Sequence, residues 1–163
     1  MGFAGSYVWK LRQVLGSQRL IVAGVGAFIM TPGGKLWMGK RTDGGLWSYV
    51  GGAIELGDSV MATLLKEVRE EAGLETKPGD WTFVGVHSEP VETNSTYVNG
   101  DEIQVVNNLF TMVYDGEITV GDDEHSEFAT FDLNALPEGM KSDNIHALRV
   151  FKEFVRTGKV QVR

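Results

Sequence analysis

Between Gly52 and Leu74 the chain reads GAIELGDSVMATLLKEVREEAGL, a glycine-rich turn that runs into a helix and stops at another glycine. Asp58 or Ser59 can cap the free N–H groups at the helix start, and Gly73 suits the left-handed turn that ends one. Residues three and four apart share a helix face, so Glu67 stands beside both Glu70 and Glu71. Carboxylates this close repel unless positive charge sits among them. A hard divalent cation such as Mg²⁺, which takes oxygen ligands and keeps positions open for substrate phosphates, meets that need. An acidic helix face alone reads as solvated surface. The glycines at both ends make this one more specific.

The rest of the chain is consistent with one soluble unit. Its 163 residues, 42% of them hydrophobic, fit a single domain over 1–163 with a sizeable core. The longest apolar run, Leu20 to Met30, is too short for a membrane span and reads as a buried strand. The first residues lack the basic-then-apolar order of a secretory signal. There is no cysteine, which removes disulfide and thiolate chemistry and is compatible with a cytoplasmic location. A net charge of −7 with no basic stripe argues against a nucleic-acid polymer as partner.

Periodicity suggests a short amphipathic helix over about 6–15, with Tyr7 or Val8, Leu11, and Val14 or Leu15 on one stripe that packs on the domain or on a second subunit. The Leu20 to Met30 strand turns at Thr31 to Gly34 and returns over Lys35 to Lys40 as a β-hairpin, with Trp37 in the core or on the sheet. A short strand over Leu46 to Val50 leads to Gly51 and Gly52. Further strands are expected at about 81–89, 103–114 and 127–133, a tight turn at Asn99-Gly100, and a final helix over about 144–156. Strands enclosed by two main helices give an α/β sandwich.

Gly52, Glu67, Val68, Glu70, Glu71, Gly73 and Leu74 fall on the positions of the Nudix signature, and on these residues the segment 52–74 resembles a Nudix box. Five Gly or Glu residues at fixed spacing arise by chance with a probability on the order of 10⁻⁶ per start position. The resemblance implies an α/β/α sandwich with a mixed sheet between helices. It also implies a Mg²⁺-dependent hydrolase, with Mn²⁺ as the other candidate ion, of the MutT-like or ADP-ribose pyrophosphatase-like kind. Such an enzyme directs water at phosphorus in a nucleoside diphosphate derivative, whether a nucleoside triphosphate, ADP-ribose or a similar small molecule. By position, Glu67, Glu71, Glu70 and the Gly52 carbonyl are the implied metal ligands, and Lys66 stands where an arginine orients the acidic cluster. Dimers are common among relatives, so a homodimer is an expectation.

Three positions depart from the pattern: Asp58 replaces glutamate, Lys66 replaces arginine, and Val50 stands where many members have proline. Lysine keeps the charge of arginine without its planar fork. Asp58 and Lys66 are therefore expected to form one altered supporting shell. Many members add an acidic residue from a loop before the final strand. Glu124 is the choice here, as metal ligand or base, with Asp123 and Glu127 behind it. His125 is read as a surface residue or a proton shuttle, and His87 and His146 are unassigned. Arg41, with Lys40, could bind phosphate or the distal group or simply solubilise a strand end. Trp47 and Tyr49 share a strand face and could stack on a base or fill the core; Tyr97 and Asn99 could overhang the site. Two other readings compete with the pyrophosphohydrolase: a non-catalytic nucleotide-binding or regulatory domain, motivated by Asp58 and Lys66, and a nucleotide-sugar hydrolase attacking carbon.

Overall fold

The computed structural model of the protein describes residues 4–96 and 100–163. Its centre is β1 (Leu20–Met30), and the reason lies in its sequence: from Gly24 onward every residue is buried. A strand buried on both faces needs helices above and below it. Parallel to it along its whole length runs β6 (Glu102–Val113), from Leu20 opposite Ile103 to Met30 opposite Val113. The hairpin return β2 (Lys35–Arg41) meets β1 only at Met30 and Leu36, then leaves it to pair with β7 (His125–Asp132) and with β3 (Trp47–Ser48). Outward from β6 lie β4 (Thr82–His87) and then β8 (Gln161–Val162), with β5 (Asn94–Thr96) pairing the start of β6. The result is one mixed eight-stranded sheet.

Because β2 splays away, the middle of β1 has a free edge. Residues 50–54 fill it: Ala27 N–H donates to Val50 O (2.8 Å), Val25 N–H to Gly52 O (2.9 Å) and Ile54 N–H to Ala23 O (2.9 Å). The glycine turn is thus pinned to the sheet before the helix α2 (Val60–Ala72) begins. Ser59 caps that helix, its Oγ accepting from Ala62 N–H, and Gly73 ends it at φ 65° in the left-handed region. Leu64, Val68 and Ala72 from α2 join Val25, Ala27, Ile29 and Phe110 in a core on one face of the sheet. On the other face α4 (Ser142–Thr157) contributes Ala147, Leu148, Val150 and Phe151 against Phe28, Leu36, Met38 and Val84. Alternate residues of β1 therefore enter opposite cores, which makes the α/β/α sandwich. Among the described residues no helix is long and apolar enough to cross a membrane.

The N-terminal helix α1 (Tyr7–Leu15) is present, and Val8 and Leu11 of the expected stripe pack on the domain, but the stripe does not extend to Val14 or Leu15. Val8 and Arg12 are its buried residues, whereas Val14 is 82% exposed and Leu15 is also exposed. Arg12 takes the buried position beside Val8 and Leu11 because its guanidinium satisfies three backbone carbonyls from two segments: Gly16 (3.0 Å) and Gln18 before β1, and Glu102 (2.7 Å) at the start of β6. Its Nε also lies 3.5 Å from Asp101. A buried charge with this many acceptors can replace an apolar residue at an interface. The sequence reading also lacked α3 (Pro90–Thr93), β5 and β8, which are too short to carry a period. The expected turn at Asn99, together with Tyr97, lies outside the described residues.

Candidate active site

Two cavities open on either side of the glycine turn and share Gly51, Gly52 and Ala53 as a common wall. The smaller, about 140 Å³, is lined by Glu67, Glu71, Glu124, Lys66, Glu55, Ser6 and Val8 as well. The larger, about 200 Å³, has an apolar side of Val22, Ile103 and Val105 and a polar side that includes Arg41, Ser48, Tyr49 and Asn107.

Glu67 and Glu71 reach the smaller cavity because α2 starts directly after the pinned turn and carries both on the side facing it. Gly52 leaves room for the Glu67 carboxylate where it lies here, since a Cβ would come within 2.6 Å of its Cδ and Oε2 and push that side chain aside. Glu71 is 3% exposed, and its Oε2 accepts the Gly51 N–H at 3.2 Å. Glu124 arrives by a tether at each end of its loop. Gly121 N–H donates to Glu71 O (3.0 Å), and Thr42 donates to it through N–H to Glu124 O (2.9 Å) and Oγ1 to Asp123 O (2.8 Å).

The electrostatics of this group are out of balance. Burial pushes the Glu67 carboxyl up to about 7, with repulsion from Glu70, Glu124 and Asp122 adding to the rise and Lys66 opposing it. Glu71 is pushed well above the ordinary carboxylate range by burial first and then by Glu67 and Glu124, despite the opposing Gly51 hydrogen bond. Two cations lie nearby: Lys66, which lines the cavity, and Arg41, which is engaged by Asp43 at 2.8 Å and by Glu124 at 3.3 Å. Its guanidinium is held strongly charged, chiefly by the Asp43 hydrogen bond. The donor set therefore fits a hard divalent cation: oxygen ligands, excess negative charge and a cavity beside them. Among the described residues no three carboxylate or imidazole groups already converge on one point. An ion shared by Glu67, Glu71 and Glu124 requires their side chains to rotate inward.

Other sequence candidates are distributed unevenly. Glu70 does not line the cavity; it faces Lys66 (3.9 Å) and Arg69 (3.7 Å) on the half-exposed side of α2. Gly52 O already accepts from Val25 N–H, leaving one lone pair. Asp58 is exposed, and among the described residues no ion pair joins it to Lys66, so the expected shared shell is absent from this arrangement. Lys40 pairs with Glu127 at 3.1 Å. Trp47 and Tyr49 both pack on the α4-side core, as their common face implies, but only Tyr49 also lines the larger cavity. Trp47 packs edge-on against Phe131 with Lys40 over its ring, whereas Tyr49 lines the larger cavity and its OH accepts from Asn107 Nδ2 at 2.9 Å.

His125 is a correction to the sequence reading. It is 2% exposed and begins β7, in space left by the missing side chain of Gly39. Its Nε2 lies 3.2 Å from Ser48 Oγ, and burial followed by Arg41 lowers its pKa. Asn107, Ser48 and Asn144 are polar residues of the larger cavity that sequence reasoning missed. Asn107 sits inside a strand and Asn144 inside a helix, so no local motif marked either.

The family profile described as NUDIX domain matches residues 20–151. The chain belongs to the Nudix family. Over 95 residues it is 35% identical to a Nudix relative named ADP-ribose pyrophosphatase from Methanocaldococcus jannaschii. That match covers 58% of this chain and half of the relative's length. Among solved structures, the MutT protein of Methanosarcina mazei Go1 aligns with TM-score 0.67 at 21% identity, over 87% of this chain and 98% of that one. An ADP-ribose pyrophosphatase from Streptococcus suis aligns with TM-score 0.63 at 25% identity, over 87% and 97%. The NUDIX domain of Shewanella oneidensis NrtR, solved with ADP ribose, aligns with TM-score 0.62 at 17% identity, over 82% and 88%. These neighbours share the fold of the sandwich.

Proposed function

We propose that this Nudix protein is a divalent-cation-dependent pyrophosphohydrolase of nucleoside diphosphate derivatives, with ADP-ribose as its first candidate substrate. The observation that carries the reading is the pair Glu67 and Glu71, which line the smaller cavity beside the glycine turn, Glu71 buried and Glu67 partly so, with both carboxyls held above the ordinary range although Lys66 is near. Glu67, Glu71 and Glu124 would hold Mg²⁺ or Mn²⁺. When bound, the ion polarises phosphoryl oxygens and lowers the pKa of coordinated water.

The chain's own residues have separate tasks in this scheme. The larger cavity takes the nucleoside, with Val22, Ile103 and Val105 as an apolar floor and Tyr49 and Asn107 at its polar side. The diphosphate then lies over Gly51 to Ala53, where the side chains are small and the backbone permits close approach. Arg41 stands between the cavities, able to exchange its contact with Glu124 for one with a phosphate oxygen. Water adds to one phosphorus and the bridging P–O bond breaks, so that ADP-ribose yields AMP and ribose 5-phosphate. The names of the M. jannaschii and S. suis relatives support the substrate choice.

The test is a hydrolysis screen with Mg²⁺ over ADP-ribose, nucleoside triphosphates, nucleotide sugars and dinucleoside polyphosphates. We expect turnover of ADP-ribose that disappears with chelator and in Glu71→Gln. A second reading, a binding domain without turnover, is favoured by one contact: Lys66 reaches its acidic neighbour Glu70 at only 3.9 Å. Tight ADP-ribose binding with no metal-dependent hydrolysis of any compound would select it.

A further inference from the structure

The acidic cavity is closed on one side by a helix that lies outside the Nudix box. Ser6 and Val8, both nearly fully buried, line it together with Glu67 and Glu71. Nothing about α1 is loosely attached at this end. Tyr7 N–H donates to Glu55 Oε2 at 2.7 Å, tying the first turn of α1 to the segment between the glycine turn and α2. Val8 packs with Leu20, Val22 and Ile103, and Ala53 packs against the same group. At the far end Arg12 binds the Gly16, Gln18 and Glu102 carbonyls and so fastens the helix to the starts of β1 and β6.

A substrate that places its nucleoside in the larger cavity and its diphosphate over Gly51 to Ala53 must send its distal group into the smaller one. That space is about 140 Å³, less than half of the roughly 300 Å³ at the low end for sites that enclose a drug-sized ligand. We propose that Ser6 and Val8 form a size-selective wall for the distal group, accepting a sugar phosphate and rejecting one that bears a further ring. The inference rests on the hydrolase reading above. In it Val8 is a specificity-determining residue, and Arg12 a positioning residue that acts through the helix.

ADP-ribose and NADH form a pair suited to the test, since they share the adenosine diphosphate and the distal ribose and differ by the reduced nicotinamide ring on that ribose. The quantity read is the ratio of kcat/KM for NADH to that for ADP-ribose, measured with Mg²⁺ in wild type, Val8→Ala and Arg12→Ala, with thermal unfolding of each. We expect a wild-type ratio of about 0.1 or lower, and a rise of at least about threefold in each variant that folds, carried by KM more than kcat. A wild-type ratio near 1 would overturn the wall, and this arm needs no variant to fold. A low wild-type ratio that stays the same in both folded variants would also overturn it, because selectivity would then arise elsewhere. Turnover of neither compound would overturn ADP-ribose as the substrate and the wall with it, while the hydrolase reading stands or falls on the wider screen above.

Discussion

Two buried carboxylate sites in this molecule have opposite electrostatics. Glu92, whose side chain is 10% exposed, lies where α3 meets β4, β8 and α4, and accepts from His87 Nε2 (2.9 Å) and Arg163 (2.8 Å) with His146 at 3.5 Å. The hydrogen bond from His87, with Arg163 and His146 adding to it, holds its carboxyl below the ordinary range. Glu71, 3% exposed, has other carboxylates for neighbours and is driven the other way. One site is complete and serves the fold; it fixes the short strand β8 against β4, where Arg163 N–H also donates to Val86 O at 2.9 Å. The other holds carboxyls whose ionisation costs the fold stability, a cost that the proposed cation would offset. Sites kept at a cost to stability are where function is expected.

The largest effect that separates the two belongs to Glu71→Gln. It should lower kcat/KM for ADP-ribose by at least about 10²-fold, while the metal-free protein gains stability through lost repulsion, its Tm rising by about 2–4 °C for each kcal/mol relieved. Glu92→Gln should do the reverse, leaving kcat/KM near wild type and costing about 1–3 kcal/mol in denaturant unfolding as His87 and Arg163 lose a charged partner. A common sign of stability change in the two variants would break the contrast.

Next in size is a pH effect. A carboxyl whose folded pKa is raised favours the folded state below its unfolded pKa, and that advantage is lost as pH rises through the folded value. For Glu67 this window runs from the ordinary carboxylate range up to about 7. Metal-free protein should therefore lose stability between about pH 4.5 and 7 on account of this group. Added Mg²⁺ should raise Tm more at pH 8 than at pH 6, because the ion needs the ionised form. Equal shifts at both pH values would remove Glu67 from the metal site.

The smallest expected effect concerns the two departures in the box. With Asp58 exposed and Lys66 near Glu70 instead, Lys66→Arg should change turnover by a few-fold at most, Asp58→Glu by less, and the two should combine additively. Measured coupling would restore the shared shell that the sequence suggested.

What the sequence made legible follows a physical division. The β1 run, the hairpin, the capped box helix and the long C-terminal helix were readable because each carries its own period and end signals within a few residues. Glu67 and Glu71 were readable because one helix sets their spacing. Long-range packing decided the rest. Arg12 is buried by carbonyls up to 90 positions away, His125 by a space that Gly39 leaves in another strand, and Glu70 is drawn aside by Lys66 and Arg69. Asn107 and Tyr49 meet across 58 positions, a pairing that no window of local sequence contains.

The most direct test of the central claim is calorimetric titration of Mn²⁺ into wild type, Glu71→Gln and Glu92→Gln at pH 8 without substrate. We expect saturable binding in wild type and Glu92→Gln and at least about tenfold weaker binding in Glu71→Gln. Binding of equal strength in wild type and Glu71→Gln would refute a metal role for this helix, since its buried carboxylate would then not be what the cation neutralises.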